Sequence, residues 1–142
     1  MAPIKFWKNI SLILFMAGLI SAFCGSAFVD GEVTVRWDEN ADPNGYEGKW
    51  ILWMFMLMSA LSMFTHKSLR KRNSGFGSGI WSMEMACALS SMLTGLFSMA
   101  VIIFVIYSFY PEKIVPIAGS ICIVAEIILF PMIAYLRNRT KM

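Results

Sequence analysis

A soluble domain of this size is about half apolar and about a quarter charged. This chain of 142 residues is 58% hydrophobic and 15% charged, with a mean hydropathy of +0.65, which excludes an ordinary soluble domain and places it in a membrane. Its net charge of +3 comes from short basic clusters beside apolar runs, so nucleic acid is not the natural partner. Cys24, Cys87 and Cys122 lie in separate apolar runs with no CxxC spacing. That pattern argues against a disulfide framework or a metal knuckle and for buried free thiols.

Residues 10–29 form a charge-free run of 20 residues preceded by Lys5 and Lys8. That length gives about 30 Å of helix and one crossing. A signal peptide is the alternative, with Gly25-Ser26-Ala27 as a small-residue cleavage site, but the run is long for a signal core. We read it as a true span. Gly18, Ala22 and Ser26 recur at i+4 with Ser21 and Gly25 beside them, a face that lets another helix approach closely in lipid.

The polar loop 30–49 follows. Between residues 33 and 50 it sets Asp38, Glu39, Asp42 and Glu47 against Arg36 and Lys49. Asp42-Pro43-Asn44-Gly45 is turn chemistry, because Pro43 presets its φ and Asn44-Gly45 tolerates positive φ. Trp37, Tyr46 and Trp50 are rings suited to a boundary between apolar phase and water. An ordered, acidic, membrane-surface loop is expected.

Residues 50–66 make a shorter apolar run anchored by Trp50 and Trp53. Met54, Met56, Met58 and Met63 do not fall on one helical face, so packing or lipid contact is expected rather than a copper site. The basic stretch 67–79 begins with Lys67, Arg70, Lys71 and Arg72 and ends in Ser and Gly. It could bind anionic lipid headgroups; the favoured reading is a cytoplasmic topological anchor. In the third run, 80–109, Ala86, Ser90, Thr94 and Ser98 fall at strict i+4 spacing and should face the small residues of the first run. Residues 110–113 are too few for anything but an antiparallel turn. The fourth run, 114–136, holds Pro116 in its first turn and Pro131 inside, where a kink is expected. Lys5, Lys8, Lys67, Arg70, Lys71, Arg72, Arg137, Arg139 and Lys141 share one side, against Arg36, Lys49 and Lys113 on the other. The positive-inside rule puts both termini and the middle loop in the cytoplasm. The fold class is an all-α membrane protein, a single domain over 1–142 forming a four-transmembrane-helix bundle with an ordered extracytoplasmic loop.

Arg36-Trp37-Asp38 through Gly45-Tyr46 to Lys49-Trp50, followed at once by an apolar run, resembles the N-terminal domain of SdpI-type (sporulation-delay toxin immunity) integral membrane proteins. Trp37 and Asp38 match the aromatic–Asn/Asp step, Gly45 and Tyr46 the turn, and Lys49 the pre-helix lysine. Arg36 stands where His is common, Ala41 where Gly is expected, and Asn44 where Asp is expected. The resemblance covers roughly residues 10–66. It implies a bacterial-type cytoplasmic membrane protein whose outer loop folds on the membrane surface, with immunity to a secreted toxin as the better-known family role. The chain is shorter than the longer family architecture.

Glu126 lies near the middle of the fourth run, where a carboxylate is costly. It is either a proton- or cation-coupled group, as in a small exporter, or a protonated side chain hydrogen-bonded to Ser90, Ser91 or Thr94. Glu84 is expected to pair with the Arg70–Arg72 cluster. His66, the one histidine, cannot by itself supply a haem or metal site. No nucleophile–base constellation, phosphate loop or paired carboxylates within one span are present, so no enzyme activity, cofactor or metal is expected. The leading expectation is a non-enzymatic membrane binding or accessory protein, with Trp37, Asp38, Asp42, Gly45, Tyr46 and Lys49 as its loop residues. Its partners would be the bilayer and a protein, or a second copy through the small-residue faces. The alternative is a small ion-coupled transporter working through Glu126.

Overall fold

The computed structural model describes residues 3–71 and 83–140. Four helices run in chain order, α1 (Pro3–Phe28), α2 (Trp50–Lys71), α3 (Met83–Phe109) and α4 (Ile114–Thr140). Between α1 and α2 lie two strands, β1 (Val33–Trp37) and β2 (Pro43–Glu47). Three helical stretches, Lys5–Phe28, Glu84–Phe109 and Ile114–Thr140, are long and apolar enough to cross a membrane, while the apolar part of α2, Trp50–Thr65, is shorter. Such helices fit a helical membrane protein. Two of them outrun their predicted spans: α1 starts before residue 10, and α4 passes through Pro131 to Thr140. The stretch expected as a loop from 67 is helical through Lys71, whereas Arg72 and residues 73–79 lie outside the described residues.

Burial is inverted relative to a water-soluble bundle. Ser11, Ser59, Ser91, Thr94 and Ser98 are buried, while Ile13, Ile20, Leu57, Phe64, Ile121 and Ile128 are exposed. In lipid the apolar side chains are already solvated, so small and hydroxyl residues hold the helices together instead. α3 is the hub, packing on α1, α2 and α4. A methyl group at Gly18 would sit 2.8 Å from Ser98 Cβ, and one at Gly25 would sit 2.9 Å from Leu52 Cδ1. The small face of α1 thus does meet α3, through Ser98 against Gly18 and Val105 against Gly25. Ser90 and Thr94, expected on the same face, turn instead toward α2: Ser90 Oγ donates to Ser62 O at 2.9 Å, and Ser59 Oγ donates to Thr94 O at 3.0 Å. Ser59 and Ser98 join at 2.9 Å, and Thr65 bonds Ser90. Such interhelical bonds contribute about 0.6 to 2 kcal/mol each. This polar layer separates two apolar clusters, one around Leu52, Val101 and Phe104, the other around Trp7, Cys87 and Ala134. Of the three thiols, Cys87 is buried, Cys24 is half-buried and Cys122 is exposed, so the expectation of three buried thiols holds for one.

α4 touches the bundle along Pro116, Gly119, Ile123, Glu126, Phe130, Ile133 and Arg137, each buried or half-buried. These positions alternate steps of three and four, the seam of a left-handed pair. The seam ends where Trp7, Glu84 and Arg137 meet, so α1 begins and α4 finishes at one end of the bundle. The hairpin stands at the other.

The loop carries an antiparallel ribbon, pairing Val33 with Glu47, Thr34 with Tyr46, Arg36 with Gly45 and Trp37 with Pro43. Its turn therefore spans residues 38–42, and the Asp42-Pro43-Asn44-Gly45 tract expected to turn is mostly strand. Asp38 explains the shift. Its Oδ1 accepts the N–H groups of Asn40 and Asp42, both at 2.9 Å, while Ala41 N donates to Asp38 O at 3.0 Å. Pro43 opens β2 in a two-stranded ribbon, where a missing donor is tolerated. Ala41 closes the turn at φ 60°, a left-handed conformation that a Cβ disfavours. Ala41→Gly should raise the stability of the detergent-solubilised protein by about 1 kcal/mol. A lowered melting temperature would contradict that account of the turn.

Candidate functional site

The hairpin is fastened over one end of the bundle at three points. Trp37 projects from β1 and stacks on Phe104, with ring centroids 6.1 Å apart and planes at 28°, and meets Tyr107 edge-on at 5.1 Å. Its indole N–H is buried and has no acceptor among the described residues. Asp42, at the turn, pairs with Lys113 of the α3–α4 link at 3.2 Å. Both side chains are more than half exposed, so the pair holds position and contributes about 1 kcal/mol at most. Lys49 Nζ donates to Ser26 O at 3.3 Å, supplying a donor to the carbonyl end of α1. Trp53 Nε1 donates to Ser26 Oγ at 2.7 Å and fixes the same corner.

Gly45 faces Arg36 across the ribbon, and a Cβ there would overlap the arginine side chain; its lack of one lets the guanidinium lie flat over the strand. Trp37, Asp38, Asp42, Gly45 and Lys49 therefore all act within the hairpin or between it and the helices. Tyr46 differs, being 54% exposed. Asp30, Glu32, Asp38, Glu39, Asp42 and Glu47 of the loop are all exposed, as is Arg36. Two clefts flank the ribbon. One of about 390 Å³ lies between β1 and the C-terminal end of α3, lined in part by Asp30, Glu32, Thr34 and Tyr107. The other, of about 630 Å³, lies between the ribbon and the first turns of α4.

No protein-family model, curated protein or solved structure matches this chain.

Glu126 lies on the α3–α4 seam, 8% exposed, with its carboxyl against Gly95 of α3 and close to Leu14 of α1. Its Oε1 has no hydrogen-bond partner among the described residues. The expected bond to Ser90, Ser91 or Thr94 is not made: the first two hydroxyls bond to α2 and α1, and the third bonds within α3. Ser91 Oγ donates to Trp7 O at 2.8 Å, and Thr94 Oγ1 donates to Ser90 O at 3.2 Å.

The strongest polar junction is one the sequence does not announce. Glu84, 1% exposed in the first turn of α3, accepts Trp7 Nε1–H at 2.9 Å and Arg137 Nε–H at 2.5 Å on the same Oε1. Arg137 also lies 3.9 Å over the Phe6 ring, and Trp7 packs on Phe130 with centroids 5.5 Å apart. Three helices are locked there by one carboxylate. One pairing partner is thus Arg137, 53 residues away; the side chains of the expected Arg70–Arg72 cluster lie outside the described residues. The available signal was Arg137's place on the α4 seam, one heptad step beyond Phe130.

Proposed function

We propose that this chain is a multi-pass protein of a bacterial-type cytoplasmic membrane, crossing four times with both termini inside and the hairpin outside. It acts as a non-enzymatic binding or accessory protein. The hairpin presents an acidic face with Tyr46 at its centre to a cationic partner, either a secreted basic peptide or the basic surface of a larger membrane complex. A role like that of the SdpI-type immunity proteins belongs to this same reading. The observation that carries it is the division of labour in the hairpin: Trp37, Asp42 and Lys49 are spent on holding it down, whereas Tyr46, Glu39 and Glu47 are left exposed on a fixed support. A pre-organised acidic and aromatic surface binds without first ordering a loop.

Purification in mild detergent should recover a stoichiometric basic partner. Tyr46→Ala combined with Glu39→Gln and Glu47→Gln should release it without lowering the melting temperature. A monodisperse, partner-free protein would count against the reading. Topology is read separately, through an impermeant thiol reagent that reaches Glu47→Cys from outside intact cells and not Thr140→Cys.

A second reading rests on Glu126, whose unpartnered Oε1 on the helix seam suits an ion- or proton-coupled carboxyl. A hydrophobic carbodiimide should then modify Glu126, and Glu126→Gln should abolish ion-coupled uptake in proteoliposomes. Uptake unaffected by that substitution removes the transporter reading.

A further inference from the structure

The larger cleft has two unlike walls. On the α4 side stand Pro116, Ile117, Ser120 and Ile121. Ile117 and Ile121 are exposed and continue into exposed Val124 and Ile128, so this wall runs unbroken into the outward apolar face of the helix. On the ribbon side stand one cation, Arg36, two acids, Asp38 and Glu39, and the amide of Asn44. Arg36 and Glu39 form no hydrogen bond or ion pair among the described residues. Asp38 commits Oδ1 to the turn.

We propose that this cleft seats the headgroup of an outer-surface phospholipid bearing a primary amine. The phosphate lies against Arg36, the ammonium against Glu39 and Asp38, and the first chain methylenes along Ile117 and Ile121. Charge selects this occupant. A simple anion would meet two carboxylates beside the single guanidinium, whereas a zwitterion of opposite sense matches both. Continuity with the apolar face of α4 selects a lipid over a soluble zwitterion. The volume of about 630 Å³ lies inside the range of small-molecule sites, ~300–1,000 Å³. The inference rests on the proposed topology in placing the hairpin at a bilayer surface, which thiol labelling tests on its own.

The experiment is native mass spectrometry of the full chain in mild detergent, titrated with phosphatidylethanolamine, phosphatidylglycerol or soluble glycerophosphoethanolamine. One phosphatidylethanolamine per chain should be retained. Arg36→Gln and Glu39→Gln should each weaken it about tenfold, as expected for loss of a charged hydrogen bond. Ile121→Trp should block the site, and Glu47→Gln, on the same hairpin outside the cleft, should leave binding unchanged. Equal retention of the two lipids, or retention indifferent to Arg36→Gln and Ile121→Trp, would mean non-specific surrounding lipid and overturn the proposal. So would binding of the soluble headgroup as tightly as the lipid, because the α4 wall would then contribute nothing.

Discussion

Arg137→Met should destabilise the protein by about 3–5 kcal/mol, because it withdraws the cation paired with a carboxylate buried among three helices. Glu84 is 1% exposed, so water cannot replace the lost partner. The reverse substitution should be milder. Glu84→Gln keeps an oxygen for the Trp7 indole, and the Arg137 side chain, 25% exposed, can extend its guanidinium toward water. The double variant, Glu84→Gln with Arg137→Met, should recover most of the loss, since it removes both charges of the pair. Thermal melting of the four proteins in one detergent measures the cycle. Equal losses in both single variants, or no recovery in the double, would show that the junction is not the lock described. Arg137→Lys should not restore stability fully, because a lysine lacks the planar group that lies over Phe6 while donating to Glu84.

A methyl group at Gly95 should be the next most damaging change. Gly95→Ala places a Cβ where the Glu126 carboxyl now lies, with Leu14 Cδ1 2.9 Å away, so the buried carboxyl must swing aside within the helix seam. Overpacking of this kind costs about 1–3 kcal/mol. In a Glu126→Ala background the same substitution should cost under about 1 kcal/mol, a coupling within the range for residues in contact. Additive losses would mean that the carboxyl is not held against Gly95. This cycle reports geometry alone and stands whichever role Glu126 has.

The parts of the fold legible in the chain were those set by length and by one-dimensional spacing. The apolar runs marked the helices to within a few residues, and the i+4 small residues of α1 marked the face that meets α3. Failures arose where a contact depends on which way a helix is turned. Ser90 and Thr94 share a stripe with Ser98, yet the ridge of α3 is wide enough that they meet α2, and Glu126 then lies against Gly95 rather than a hydroxyl. Glu84 finds Arg137, 53 residues away, because packing along the α4 seam brings that charge to it. In the hairpin, Pro43-Asn44-Gly45 has every residue preference of a turn, but the side chain of Asp38 gathers two backbone donors and fixes the reversal earlier. Nothing in the identity of Ala41 signals its positive φ. Among the loop residues chosen from the sequence, all but Tyr46 are structural in the first instance; Tyr46 is the one left facing outward.

The position of α3 has a consequence for how the molecule is made. The hairpin is synthesised between the first and second helices, yet the rings beneath it, Phe104 and Tyr107, belong to the third. The buried hydroxyls of Ser11 in α1 and Ser59 in α2 also find their partners on that later segment. A nascent chain halted after Lys71 would hold two loosely associated helices and an unsupported ribbon. Quality-control proteases should clear such a truncated product quickly, whereas one extended through Phe109 should already resist them at its outer end.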